Sequence, residues 1–370
     1  MVVNGSICGF VRCLLDFIEI ERRGQCSHYV WFSEGAYFTE FDEHDLKRWL
    51  EPGVSLSGCF ISSIEEYVDF LRKCIGSVIR NKVLMLDFSG GKDSLVSLIL
   101  LSELANFVDF ELRVVYVHVP FLDSLSSVDS AVSLANRIGY NPIVVEADRS
   151  KMRFYLENKG LPRVGDRWCT YLKVASLRKV RKSIGADYEV KGDRILEGGK
   201  RYAKMLGFLN EKKFVFGKYV NVVYPLTIID IARIIRRFNV INPQYLMGLT
   251  RVSCKYCPYK SLFELYVSRD LSVENEDYVD YILHREYQKW YSSIVSWIDF
   301  REHCLWRFTP TRSKILLKRK MKHSRSLSLR FRDIRGMITS VWREKLPTVS
   351  TYSFEDLNNK LRHILDIIEI

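Results

Sequence analysis

The 370-residue chain contains no apolar run approaching the roughly 18 residues that a membrane-spanning helix needs. No secretory leader is expected either, because Arg12 and Asp16 interrupt the moderately apolar stretch from Cys8 to Ile20. The expectation is a cytoplasmic protein. A disulfide framework is equally absent: the nine cysteines are odd in number and spread along a long chain. Most of them read as small buried apolar residues. Cys254 and Cys257, spaced C-x-x-C, are the exception. What the chain does have is positive charge, +12 net with a pI near 9.2. That balance suits an acidic ligand or a nucleic acid. Fourteen Lys or Arg against three acidic residues lie between Arg301 and Lys345, so nearly the whole excess sits in that one segment.

The stretch around which the chain is organised is residues 81–94, NKVLMLDFSGGKDS. Val83 to Phe88 is almost wholly apolar and reads as a strand buried on both faces. Ser89-Gly90-Gly91-Lys92-Asp93-Ser94 follows, and Leu95 to Leu104 has a helical apolar pattern. Strand, glycine turn and helix in that order make an anion site, since glycines admit a phosphate and the first helical N–H groups point at it. Lys92 and the hydroxyls of Ser89 and Ser94 add direct contacts. The Walker A spacing, with four residues between its first glycine and the GK pair, is not there.

Leu112 to Val119 and Pro142 to Glu146 read as further strands, with a helix from Ser126 to Gly139 between them. Tyr188 to Lys191 is a fourth strand. Alternating strands and helices imply an α/β fold, a doubly wound, mostly parallel sheet with its ligand site at the carboxyl ends of the strands. His118 falls near such an end, where a lone histidine is more often structural. Residues 1–80 read as an accessory α+β module. It would hold a small hairpin, Tyr29 to Phe32 and Ala36 to Phe38 about Ser33-Glu34-Gly35, then helices at Asp42 to Leu50 and Ile61 to Ile79. Residues 81–265 form the nucleotide domain and 266–370 a basic, mainly helical region, closed by an amphipathic helix from Phe354 to Ile370.

The six-residue turn resembles the PP-loop of the adenine-nucleotide alpha-hydrolase-like ATP pyrophosphatases. Within that superfamily the chain is most similar to the PAPS and APS reductases. The likeness rests on Gly160, Pro162, Arg167, Trp168, Cys169, Leu172 and Lys173, and on Gly192, Arg194, Glu197 and Arg201, with Gly198 where a serine is usual. It continues in Tyr224-Pro225-Leu226, Asn242-Pro243, Tyr245, Gly248, Arg251 and the C-x-x-C pair with Pro258. It implies that an adenylyl nucleotide (APS, PAPS or ATP) is bound by Ser89 to Ser94 together with Arg167, Lys173, Gly192, Arg194 and Arg201. Lys92, Asp93 and Cys169 then carry the catalytic roles.

Iron–sulfur APS reductases have a Cys-Cys pair before a basic helix and a later C-x-x-C. Cys169 takes the second place of that pair, 85 residues before Cys254, and Trp168 stands in the first. By that resemblance Cys169, Cys254 and Cys257 are ligands of a 4Fe-4S cluster with one iron lacking a cysteine; zinc or no metal is the alternative. The reductases attack sulfate with a cysteine in an E-C-G-L-H tail, a motif that does not occur here, and Cys304, the last cysteine, reads as structural.

Three functions stay open. Sulfonucleotide reduction comes first, with a donor such as thioredoxin. In the second, ATP with Mg²⁺, placed with help from Asp93, adenylates a tRNA base that is then thiolated. The basic segment, rich in aromatics, suits the RNA, although a solvated helix face or an intramolecular clamp fits it as well. The third is a nucleotide- or nucleic-acid-binding protein without turnover.

Overall fold

The computed structural model describes residues 58–195, 205, 207–209, 211–260 and 262–323. Shorter described pieces are 2–5, 9–14, 17–22, 31–32, 328–329, 335, 339, 341–343, 350–357 and 359. Near the N-terminus, β1 (Val2–Gly5), β2 (Gly9–Leu14) and β3 (Phe17–Arg22) form an antiparallel sheet. β4 (Trp31–Phe32), expected as one arm of a hairpin, pairs in parallel with Ser328–Leu329. The other expected arm, residues 36–38, and the expected helix at 42–50 lie outside the described residues.

β5 (Gly58–Cys59) leads into α1 (Ile64–Ile79), which Ser63 caps by accepting the Glu66 N–H. The central sheet then begins. It contains β6 (Val83–Asp87), β7 (Glu111–His118), β8 (Ile143–Glu146), β9 (Tyr188–Val190), β10 (Val215–Phe216) and β11 (Tyr219–Val220), in the order β10-β11-β9-β6-β7-β8. All neighbours are parallel except β10 and β11, a short hairpin edge that the sequence pattern does not announce. Between the strands run α2 (Lys92–Ala105), α3 (Leu125–Arg137), α4 (Arg149–Lys159) and α5 (Trp168–Ser183).

Strand side chains alternate between two cores, as a period of two requires. Leu84, Leu86, Val114 and Tyr116 enter one cluster, with α1, α2 and α3; Met85, Val115 and Val117 enter the other, with α4 and α5. The first cluster also takes α6 (Ile228–Arg237), whose capping box joins Thr227 and Asp230. Asp230 also accepts the N–H groups of Phe60 and Ile61 at 2.8 and 3.1 Å, pinning the approach to α1. Beyond α7 (Pro243–Leu246) and α8 (Leu262–Val267), the long α9 (Glu276–Trp290) covers the second core with α10 (Trp297–Glu302) and α11 (Pro310–His323). Val341, Trp342, Tyr352 and Leu357 return to the first. Both cores therefore draw on residues past 265. Residues 354–357 are helical; the rest of the expected terminal helix lies outside the described residues. Among the described residues no helix is long and apolar enough to cross a membrane.

Candidate active site

The turn after β6 is held in shape by its own residues. Gly90 has φ +69°, a left-handed conformation that L side chains avoid, and an added Cβ would stand 3.2 Å from the Ala131 Cβ. The Ser94 hydroxyl accepts the Ser89 N–H at 3.2 Å and donates to the Gly91 carbonyl at 3.0 Å. Asn242, of the N-P-x-Y element, donates its amide to the Gly90 carbonyl at 2.9 Å. Tyr245 accepts the Lys92 N–H at 2.7 Å. Gly192 closes the approach from β9, its α-carbon so near the loop that a Cβ would lie 3.1 Å from the Ser94 nitrogen.

Behind the turn lies a buried charge cluster. Asp93 accepts from Lys92 Nζ at 3.0 Å and from Arg194 Nε at 2.5 Å, and Arg194, wholly buried, also donates to the Leu226 carbonyl at 3.2 Å. Burial by itself would raise the Asp93 carboxyl, but the two cations outweigh it and hold it below its usual range. As they stand, Lys92, Asp93 and Arg194 brace the loop from behind. Asp87, at the end of β6, pairs with Lys191, yet burial raises its carboxyl above the ordinary value.

In front of the turn is a cavity of about 180 Å³ lined by Ser89, Ser127, Arg167, Lys173 and the three cysteines, Cys169, Cys254 and Cys257. α5 explains the arrangement. Its first residue, Trp168, is buried and stacks on Tyr155 at 5.2 Å, so the next residue, Cys169, turns to the cavity. Arg167 sits over the Tyr259 ring, 4.7 Å from its centroid. Burial and the neighbouring Cys257 push the Cys169 thiol up to about 11, and burial with Asp123 pushes Cys254 well above its usual value. Cys257 goes the other way. Burial opposes its ionisation, but Arg251, whose Nη2 is 3.9 Å from the sulfur, leads a set of cations and a backbone N–H that lower it.

The structure thus brings together Ser89, Arg167, Lys173, Cys169, Cys254 and Cys257, and sets Gly192 against the loop. Arg201 lies outside the described residues. His118 is not on the cavity; its Nδ1 is 3.9 Å from Asp123. Asp123, which accepts the Val119 N–H at 2.9 Å and lines the cavity, was signalled by no motif. Tyr245 belonged to a recognisable element without a visible role. Three thiols round one cavity are a suitable donor set for iron or zinc. Among the described residues, however, no three His, Cys, Asp or Glu side chains are arranged to hold a metal ion, so their placement does not fit one.

Residues 83–260 match the family model of the phosphoadenosine phosphosulfate reductase domain. MJ0973, an uncharacterized protein of Methanocaldococcus jannaschii, is 27% identical over 204 residues, which cover 54% of this chain and 45% of that protein. The match thus spans less than half of the relative's length. Among solved structures, the U34-tRNA thiolase NcsA of Methanococcus maripaludis, determined with its [4Fe-4S] cluster, is 17% identical with a TM-score of 0.36, over 70% of this chain and 79% of that one. NMN synthetase from Francisella tularensis is 12% identical with a TM-score of 0.34, over 62% and 96%. Neither likeness is close enough to carry a residue's role across. With its SGGKDS turn between β6 and α2 and its mostly parallel sheet, the segment 83–260 is a phosphoadenosine phosphosulfate reductase domain of the PP-loop superfamily.

Proposed function

We propose that the protein binds ATP with its phosphates on Ser89 to Ser94, adenylates a carbonyl oxygen of a tRNA base, and replaces that oxygen with sulfur handled by the cavity cysteines. The observation that carries this reading is the shared cavity: Cys169, Cys254 and Cys257 line it together with Ser89 of the PP-loop, Arg167 and Lys173. The acceptor oxygen attacks the α-phosphate and pyrophosphate leaves. The terminal sulfur of a persulfide on one cavity cysteine then displaces AMP. A second cavity thiol resolves the resulting mixed disulfide, so that the base leaves with the sulfur and the two cysteines end as a disulfide for an external thiol to reduce. Arg167 and Lys173 neutralise phosphate charge, and Mg²⁺ accompanies the ATP. Cys257, the thiol with the lowered pKa, is the one best suited to carry the reactive sulfur.

Sulfonucleotide reduction, with an electron donor such as thioredoxin, is the second reading, favoured by the family match itself. One set of incubations separates the two. The first reading expects AMP and pyrophosphate from ATP, dependent on an RNA acceptor and abolished by Ser94→Ala. Sulfite released from APS or PAPS in the presence of a dithiol, with no AMP from ATP, would replace it with the second. Metal analysis of anaerobically purified protein and of Cys254→Ala tests whether the three cysteines hold iron or zinc in solution.

A further inference from the structure

The C-x-x-C turn separates two cavities. Cys254 and Cys257 line the one beside the PP-loop; Lys255 lines only a second, larger one of about 480 Å³; Tyr256 lines both. This second cavity is formed by α8, α9 and α10 and has the volume of an ordinary ligand site. Aromatic faces meet charged groups in it. Tyr256 stands edge-on to the buried Trp306 at 6.1 Å, and the Arg301 guanidinium lies over the Trp297 ring at 5.6 Å. Lys255 is neutralised by an ion pair with Glu276. Arg269 and Arg301, both exposed, face the same space as the carboxylates of Asp280 and Glu302.

We propose that this second cavity binds one nucleotide unit of a single-stranded RNA, its base against Tyr256 and Trp297 and its phosphate on Arg269 and Arg301. The assignment rests on the thiolation reading above and supplies it with a site for a nucleotide flanking the acceptor base. A nucleobase is the ligand whose chemistry matches the whole lining. It offers a planar π-face to the rings and the guanidinium, amino and imino N–H groups to the two carboxylates, and an adjoining phosphate to the arginines. The shared Tyr256 puts this base one side chain away from the thiols.

The test uses the full chain and a fluorescent single-stranded RNA of about ten nucleotides, a length within the usual site size, with anisotropy as the readout. The double variant Arg269→Glu/Arg301→Glu, and separately Trp297→Ala, should each weaken RNA binding on the order of tenfold or more while leaving ATP affinity unchanged. Lys314→Glu/Lys318→Glu, on α11 and outside the cavity, should weaken it less. Wild type that binds no single-stranded RNA, or cavity variants that bind it as wild type does, would overturn the assignment. If wild type releases AMP and pyrophosphate while the cavity variants bind RNA normally, the site falls and the thiolation reading stands. Loss of RNA binding in the variants, in a protein that never cleaves ATP, would keep the site and sink the reaction.

Discussion

The phenolic oxygen of Tyr245 stands 2.7 Å from the backbone nitrogen of Lys92, and the Tyr245 ring packs on Trp342 with centroids 4.9 Å apart. A residue near the end of the described chain is thereby linked, through one side chain, to the first helical N–H of the PP-loop.

Tyr245→Phe removes the acceptor and leaves a buried N–H without a partner. Such orphaned donors cost about 1–3 kcal/mol. The nucleotide-free variant should lose roughly that much unfolding free energy in urea titrations. A bound phosphate offers a new acceptor at the helix start, so the thermal shift on adding ATP should be larger in the variant than in wild type. An equal or smaller shift would mean that the phosphate does not reach this N–H.

Asp93→Asn removes a carboxylate from the wholly buried Arg194. Breaking one side of a buried ion pair costs about 3–5 kcal/mol. The Asp93 carboxyl is lowered in the folded protein, so its contribution is full above the ordinary value of 3.8 and is lost as pH falls from there through the folded value. Asp230, raised by burial, acts in the opposite sense. Subtracting the variant's stability from that of wild type removes such shared groups. The difference should be flat above about pH 5 and shrink below pH 4.

Among the cavity thiols, Cys257 should react first. In chelator-treated protein, alkylation followed by mass spectrometry should show Cys257 modified with an inflection below 9, its ordinary value, and Cys169 only near 11. Arg251→Met should move the Cys257 inflection upward. An unchanged inflection would assign the lowered pKa to the Tyr259 N–H, Lys260 and Arg167 instead.

Gly192→Ala puts a Cβ within 3.1–3.3 Å of the Asp93 and Ser94 backbone. Backbone cannot swing aside as a long side chain does, so the loop itself must shift. Displacement of a phosphate cradle by a fraction of an ångström should weaken ATP binding on the order of tenfold, with circular dichroism unchanged. Isothermal titration calorimetry reads the result directly.

Four of the six strands of the central sheet, and the loop, were legible in the sequence alone. Residues 83–88 and 112–119 are mostly apolar short runs of the kind that strands buried on both faces carry, and SGGKDS between strand and helix reads as an anion turn. The period-two split of Leu84 and Leu86 from Met85 follows from strand geometry alone. The C-x-x-C pair and the Arg167 to Lys173 segment were legible because short motifs keep their residues at fixed spacing.

Tertiary structure decided what those residues do to one another. Arg194, expected at the phosphates, is buried by the chain path past Leu226 against Asp93, 101 residues away in sequence. The parallel partner of Trp31–Phe32, Ser328–Leu329, lies nearly three hundred residues on, beyond the reach of any local sequence window. Cys169 and Cys254 share a cavity because α5 and the C-x-x-C turn meet across the end of the sheet, where Asp123 and Tyr256 join them unannounced. Hydrogen bonds, burial and charge act through space at a few ångströms, and spacing along the chain fixes those distances only within a single element.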